Sequence, residues 1–208
     1  MLVCNNLKHT YAGSKELNFP DWEVRQGDHS LILGPSGCGK TSLLHLLSGL
    51  LKPKPESVFI KNTDIGGLNQ SQLDKFRGQH IGFVFQKPHL VASLTVNENI
   101  ELSSFLAKRP IQKTHVYEIL KSLDIEDLAQ KNIYQISQGQ AQRVAIARAV
   151  ITQPELIFCD EPTASLDDAS CEAVIDLLKN QAEACGATLI IATHDQRVKD
   201  EFSNQLVL

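Results

Sequence analysis

Apolar and polar positions change rhythm twice along the chain. Up to about residue 87 the rhythm is strand-like: LNFPDWEVRQGDHSLILG alternates in stretches broken by Pro20 and Gly27. Ser30 to Leu33 is a short apolar run that stops at Gly34. KTSLLHLLSGL then takes helical spacing, with Leu43, Leu44, Leu46, Leu47 and Leu50 as its expected buried stripe. The two prolines of LKPKPES mark a loop, and IGFVFQ is again a strand. From about Pro88 to Val150 helical spacing dominates, in NIELSSFLA and HVYEILKSLDI. Thr95-Val96-Asn97-Glu98 has the form of a capping box and should start the first of these helices. Strands return at LIFCD and TLIIATH. Neither alternates, so both are expected to be buried on two faces, as in a parallel sheet covered by helices. Between them DASCEAVIDLLKNQAEACG predicts a helix with Gly186 as its C-cap. NQLVL is expected to follow the last strand. The pattern therefore predicts one α/β domain over 1–208, its core built from 1–87 and 151–208, with a helical insertion over 88–150.

Composition narrows the classes. The 208 residues suit one domain, and 42% hydrophobic with 21% charged residues is enough for a real core. A formal net charge of -4 lacks the basic excess of a nucleic-acid binder, and no nucleic-acid partner is expected. The five cysteines form no CxxC pair, which favours reduced thiols over a disulfide framework or a zinc site. MLVCNNLKHTY has no basic end leading into an apolar run, so no signal peptide is expected. No apolar run approaches the roughly 18–20 residues that cross a bilayer. A role at a membrane would draw its spans from other chains.

The chemistry starts at Gly34-Pro35-Ser36-Gly37-Cys38-Gly39-Lys40-Thr41, which fits GxxxxGK[ST] between a strand and a helix. Glycines let backbone N–H groups turn inward around phosphate oxygens, and the helix N-terminus adds its positive dipole end. Lys40 can reach the β- and γ-phosphates, the Thr41 hydroxyl can ligate Mg²⁺, and Ser42 can touch the α-phosphate. A second signal is Leu156–Glu161, an apolar strand ending in two acids. Asp160 suits the Mg²⁺-holding role at a strand's C-terminal end, and Glu161 is then placed to orient or deprotonate a water. A third is ISQGQAQR, a polar elbow that runs straight into the apolar helix VAIARAV.

With these motifs in hand, the chain resembles the ATP-binding subunit of ABC transporters over nearly its whole length. The resemblance implies a P-loop NTPase (RecA-like) core, an N-terminal antiparallel β subdomain and an inserted α-helical subdomain. It assigns Tyr11 to stacking on adenine, Gln86 to sensing Mg²⁺, Ser165-Leu166-Asp167 to the D-loop and His194 to clamping the γ-phosphate. It makes ISQGQ the signature motif, so that Ser137 and the backbone near Gly139 would bind the γ-phosphate of ATP held by a second copy. Gln140 would position ribose or the neighbouring backbone. The implied assembly is a head-to-tail homodimer holding ATP and Mg²⁺, docked on integral membrane permease subunits at the cytoplasmic face of the inner membrane. Residues 86–94 are the expected docking surface, with His89-Leu90-Val91 either exposed to a partner or packed beneath the helical insertion. FVFQKPHLVASLTVNENI and SQGQAQRVAIARA are similar to the lipoprotein-releasing and macrolide-exporting branch, though importers share much of them. One position departs from the family pattern: Gln138 stands where the signature usually has glycine. A positive φ there would make Gln costly, while a helix-entry conformation, the favoured expectation, would tolerate it.

Overall fold

The structure, a computed structural model, describes residues 1–13, 15–164 and 166–208. Its centre is a five-stranded parallel sheet in the order β11-β5-β10-β9-β8, formed by Asn204–Val207, Ser30–Leu33, Thr188–Thr193, Leu156–Asp160 and Ile81–Val84. Every residue of β5, β9 and β10 is buried, as their unbroken apolar runs predict. Within these strands the side chains still alternate between two cores. Ile190 and Ala192 of β10 point into one cluster, while Leu189 and Ile191 point into the other.

The first cluster is closed by α1 (Lys40–Leu47) and by an antiparallel sheet of order β4-β1-β6-β7. Those strands are Trp22–Val24, Leu2–Cys4, Val58–Ile60 and Thr63–Asp64. Leu2, Cys4, Val24, Val58 and Ile60 meet Leu43, Leu44, Leu46 and Leu47 of α1, so that helix is packed between two sheets. A ribbon of β2 (Lys8–His9) and β3 (Leu17–Asn18) lies apart from both sheets. The second cluster takes α3 (Val96–Leu106), α4 (Lys113–Ser122), α5 (Gln138–Val150) and α6 (Asp168–Cys185). Thr95 and Glu98 form the expected capping box of α3, and Gly186 caps α6.

Two expectations are corrected. Leu50 is 37% exposed and does not join the buried stripe. The helix ends at Leu47, and Gly49, at φ 70°, turns the chain away before Leu50. NQLVL does not follow the last strand; it contains it, since Asn204–Val207 pairs in parallel with β5. A further helix, α2 (Gln70–His80), has no apolar period and buries only Leu73. It is specified instead by a capping box of Asn69 and Gln72.

The packing of β8 on α5 rests on Gly82. A Cβ there would lie 2.4 Å from the carbonyl oxygen of Ala149, so one of the two backbones would have to shift. Gly82→Ala is expected to cost about 1–3 kcal/mol of unfolding free energy as an overpacked substitution. Urea unfolding should show a lowered midpoint at unchanged slope; an unchanged midpoint would mean that the two elements slide apart without cost.

Candidate nucleotide site

Parallel pairing brings the C-terminal ends of β5, β9 and β10 to one edge of the sheet, and the three motifs follow from those ends. After β5 the chain turns at Gly34, where a Cβ would lie 2.6 Å from Cys38 Sγ and 3.0 Å from the Leu208 carbonyl. The loop runs through Pro35, Ser36 and Gly37, and the Cys38 N–H closes back on the Pro35 carbonyl at 3.3 Å. Gly39 enters α1 at φ 105°, a left-handed conformation that costs glycine little. It offers no side-chain cap, so the first N–H groups of α1 are left for a ligand.

Lys40 is the first residue of α1 and is only 5% exposed. Its ammonium arches back over the loop, donating to the Gly34 carbonyl at 2.9 Å and the Pro35 carbonyl at 3.1 Å. It also stands 3.5 Å from Glu161 Oε1. The Thr41 hydroxyl donates to Asp160 Oδ1 at 3.1 Å. Burial pushes the Asp160 carboxyl above its ordinary range, against the opposing pull of the Thr41 hydrogen bond. Tyr11 lies half exposed beside the loop, its hydroxyl 3.0 Å from that of Ser42 and its ring edge-on to His9.

Glu161 holds a left-handed φ of 47°, uncommon for a residue with a side chain, of a kind that costs on the order of 1–3 kcal/mol. The surroundings impose it. The Glu161 N–H donates to the Ala192 carbonyl at 2.8 Å, keeping the backbone against β10. Its carboxylate accepts from the Thr193 hydroxyl at 2.9 Å and the His194 N–H at 3.3 Å, and lies 2.9 Å from His194 Nδ1. The acid is thus held between a lysine and a histidine.

Ser36, Gly37 and residues 39–42 of the loop share one cleft of about 350 Å³ with Gln86, Glu161 and His194, while Tyr11, Gly34, Pro35, Cys38 and Asp160 do not line it. Among the described residues, Ser137, Gly139, Gln140 and Asp167 do not line it. Ser137 caps α5, its hydroxyl accepting from the Gln140 N–H while the Gln140 side chain accepts from the Ser137 N–H. Gln138 is the first residue of α5 and has no positive φ, which is the helix-entry conformation and carries no backbone strain. Asp167 caps α6 through the Ser170 N–H, which holds its carboxyl below the ordinary range. Ser165 lies outside the described residues. Residues 89–91 divide between the two alternatives: Leu90 packs against the second cluster, whereas His89 and Val91 are exposed.

Sequence reasoning missed Arg148. Its guanidinium donates to the Pro88 carbonyl at 2.6 Å and the His89 carbonyl at 2.9 Å, tethering the segment after Gln86 to α5. The signal was present, since Arg148 is the lone charge in the apolar run VAIARAV. A charge placed inside such a run needs fixed acceptors.

A parallel sheet that gathers a phosphate loop, a strand-end glutamate and a histidine into one cleft, with the preceding Asp160 bonded to Thr41 of that loop, defines a P-loop nucleotide hydrolase. The sequence model of the ABC transporter family matches residues 17–164, and the chain belongs to that family. It is the ATP-hydrolysing motor of a transporter. A lipoprotein-releasing system ATP-binding protein, LolD of Buchnera aphidicola, is 37% identical over 203 residues, 95% of this chain and 89% of the relative. The phosphonates import ATP-binding protein PhnC 2 of Oceanobacillus iheyensis is 35% identical over 218 residues, covering 100% of this chain and 85% of the relative. The ATP-binding cassette MJ0796, solved as a dimer in a post-hydrolysis state bound to ADP and Pi, superposes with a TM-score of 0.88 at 34% identity. That match covers 100% of this chain and 94% of the other. Among the described residues no helix is long and apolar enough to cross a membrane.

Proposed function

We propose that two copies of this chain close head to tail around ATP and Mg²⁺ and drive the membrane subunits of a lipoprotein-release type exporter from the cytoplasmic face of the inner membrane. The observation that carries the dimer is Gly139. Among the described residues a Cβ there would meet nothing within 4 Å, and its φ is not positive. A glycine in a helix costs roughly 1 kcal/mol relative to alanine. The chain itself offers no reason to keep one, whereas close approach of a partner's nucleotide does. The solved dimer of MJ0796 supports the same reading. The exporter branch follows the LolD relatives; the phosphonate-import relative makes an importer the alternative.

Mg²⁺ fits the oxygen donors present. Thr41 and Asp160 already meet at 3.1 Å, and Gln86 lines the same cleft. A hydroxyl, one carboxylate and an amide suit an ion that keeps several waters and shares its shell with phosphates. Thr41, Asp160 and Gln86 would hold the ion, which would neutralise negative charge on the phosphates. The chain's own residues then act by position and charge, as a loose phosphoryl-transfer transition state requires. The loop amides and Lys40 cradle the phosphates. The arriving negative charge draws Lys40 away from Glu161, leaving that carboxylate to orient the attacking water. His194 meets the γ-phosphate, and Ser137 with the Gly139 N–H closes on it from the partner copy. Tyr11 and Ser42 line the approach of the base and α-phosphate.

Mixing two defective chains tests the shared site. Lys40→Met and Gly139→Asp should each abolish phosphate release alone. Their heterodimer keeps one intact composite site, so a mixture should recover measurable turnover. If the mixture stays silent while each variant folds and Gly139→Asp binds ATP, the head-to-tail reading fails.

A further inference from the structure

Arg197 lies three residues after His194 and does not line the phosphate cleft. Its guanidinium nevertheless makes five hydrogen bonds, all to the two loops that carry the site. Nε and Nη2 fork onto Asp195, at 2.9 Å to Oδ1 and 2.7 Å to Oδ2. Nη1 donates to Asp168 Oδ1 at 2.6 Å, and Nη1 and Nη2 both reach the Leu166 carbonyl at 3.2 Å. Asp195 extends the chain of contacts inward. Its Oδ2 accepts from the Thr163 hydroxyl at 3.0 Å, and its N–H donates to Thr193 Oγ1 at 3.0 Å. The Thr193 hydroxyl in turn donates to Glu161 Oε2 at 2.9 Å. The fork holds the Asp195 carboxyl far below the ordinary carboxylate range.

The flanking elements do not depend on this guanidinium. Asp167 caps α6 through Ser170, Val198 is buried in the second core, and Lys179 pairs with Glu201 at 2.6 Å. Arg197 adds to the Thr163–Asp195 and Glu161–Thr193 contacts the outer tie between segments 161–168 and 193–197, reaching Leu166 and Asp168. We propose that Arg197 is a positioning residue for hydrolysis, tying the loop after Glu161 to the loop of His194 so that the carboxylate and the imidazole stay in register. This rests on the reading of Glu161 as the group that orients water. Small misplacements at a reacting centre cost heavily: about 1 Å can cost on the order of a hundredfold in rate.

The test uses the full chain with Arg197→Gln and Arg197→Lys, following phosphate release against ATP concentration, thermal unfolding, and hydrogen exchange of both loops. Both variants should lose about ten- to a hundredfold in kcat with KM for ATP within about twofold. Lysine should fail to rescue, because an ammonium cannot fork onto a carboxylate and a carbonyl together. Exchange should quicken in 161–168 and 193–197 and not elsewhere, and Asp195→Asn combined with Arg197→Gln should be no worse than either alone. Wild-type kcat in Arg197→Gln, full rescue by lysine, or a KM rise that accounts for the whole loss overturns the proposal. If Glu161→Gln turns over like the wild type in the same assay, it is the reading of Glu161 that fails. Exchange then still decides the tether: unchanged exchange overturns it, and faster exchange in both loops supports it.

Discussion

Glu161→Gln should bind ATP as tightly as the wild type, accumulate as an ATP-bound dimer and lose roughly 10²–10⁴-fold in the rate of phosphate release. The substitution keeps the shape and one acceptor oxygen, so the Thr193 hydroxyl keeps a partner. It removes the charge that faces Lys40 at 3.5 Å and His194 at 2.9 Å. Binding should survive because the phosphate cradle, from Gly34 to Thr41, is untouched. Turnover should not, because an amide can neither take a proton from water nor hold it as strongly. Single-turnover phosphate release measures the rate, and size-exclusion chromatography with and without ATP measures the dimer. Wild-type turnover in this variant would remove Glu161 from the reaction.

Lys40→Met should fail one step earlier, with ATP affinity lowered about ten- to a hundredfold or more and turnover lost with it. Charge-assisted hydrogen bonds contribute about 1.5–3 kcal/mol each, and Lys40 is the cation at the centre of the cleft. Methionine fills the space of the buried stem, so α1 should stay packed. The Gly34 and Pro35 carbonyls lose their donor, and the exposed rim of the loop lets water replace it. Calorimetric titration of ATP into wild type and variant decides this, with far-ultraviolet circular dichroism as the control for folding. Unchanged affinity would mean that the backbone amides alone hold the triphosphate.

The two variants separate the parts of the molecule that are plain in its sequence. Strands β5, β9 and β10 were legible because burial on both faces leaves an unbroken apolar run. The phosphate loop was legible because its glycines are demanded by the geometry of the turn. Helix α2 was not, since its stability comes from the Asn69–Gln72 box and from packing one leucine, neither of which leaves a period. The exposure of Leu50 was hidden by a helix that stops three residues early at the Ser48–Gly49 turn. Arg197 was illegible for a different reason. Its partners Leu166 and Asp168 meet it only after β9 and β10 have paired, and one of them is a backbone carbonyl that carries no residue identity.

The position of β5 has a consequence for how the molecule is made. The strand that carries the phosphate loop forms residues 30–33, yet both its neighbours come from residues 188–193 and 204–207. On the ribosome, the loop at 34–41 therefore emerges long before there is a sheet to hold it. Contacts between such distant segments form slowly, because the closure entropy comes before the reward. A nascent chain should thus be unable to bind ATP until residues 188–193 and 204–207 have cleared the exit tunnel. Copies stalled before that point could not compete for nucleotide.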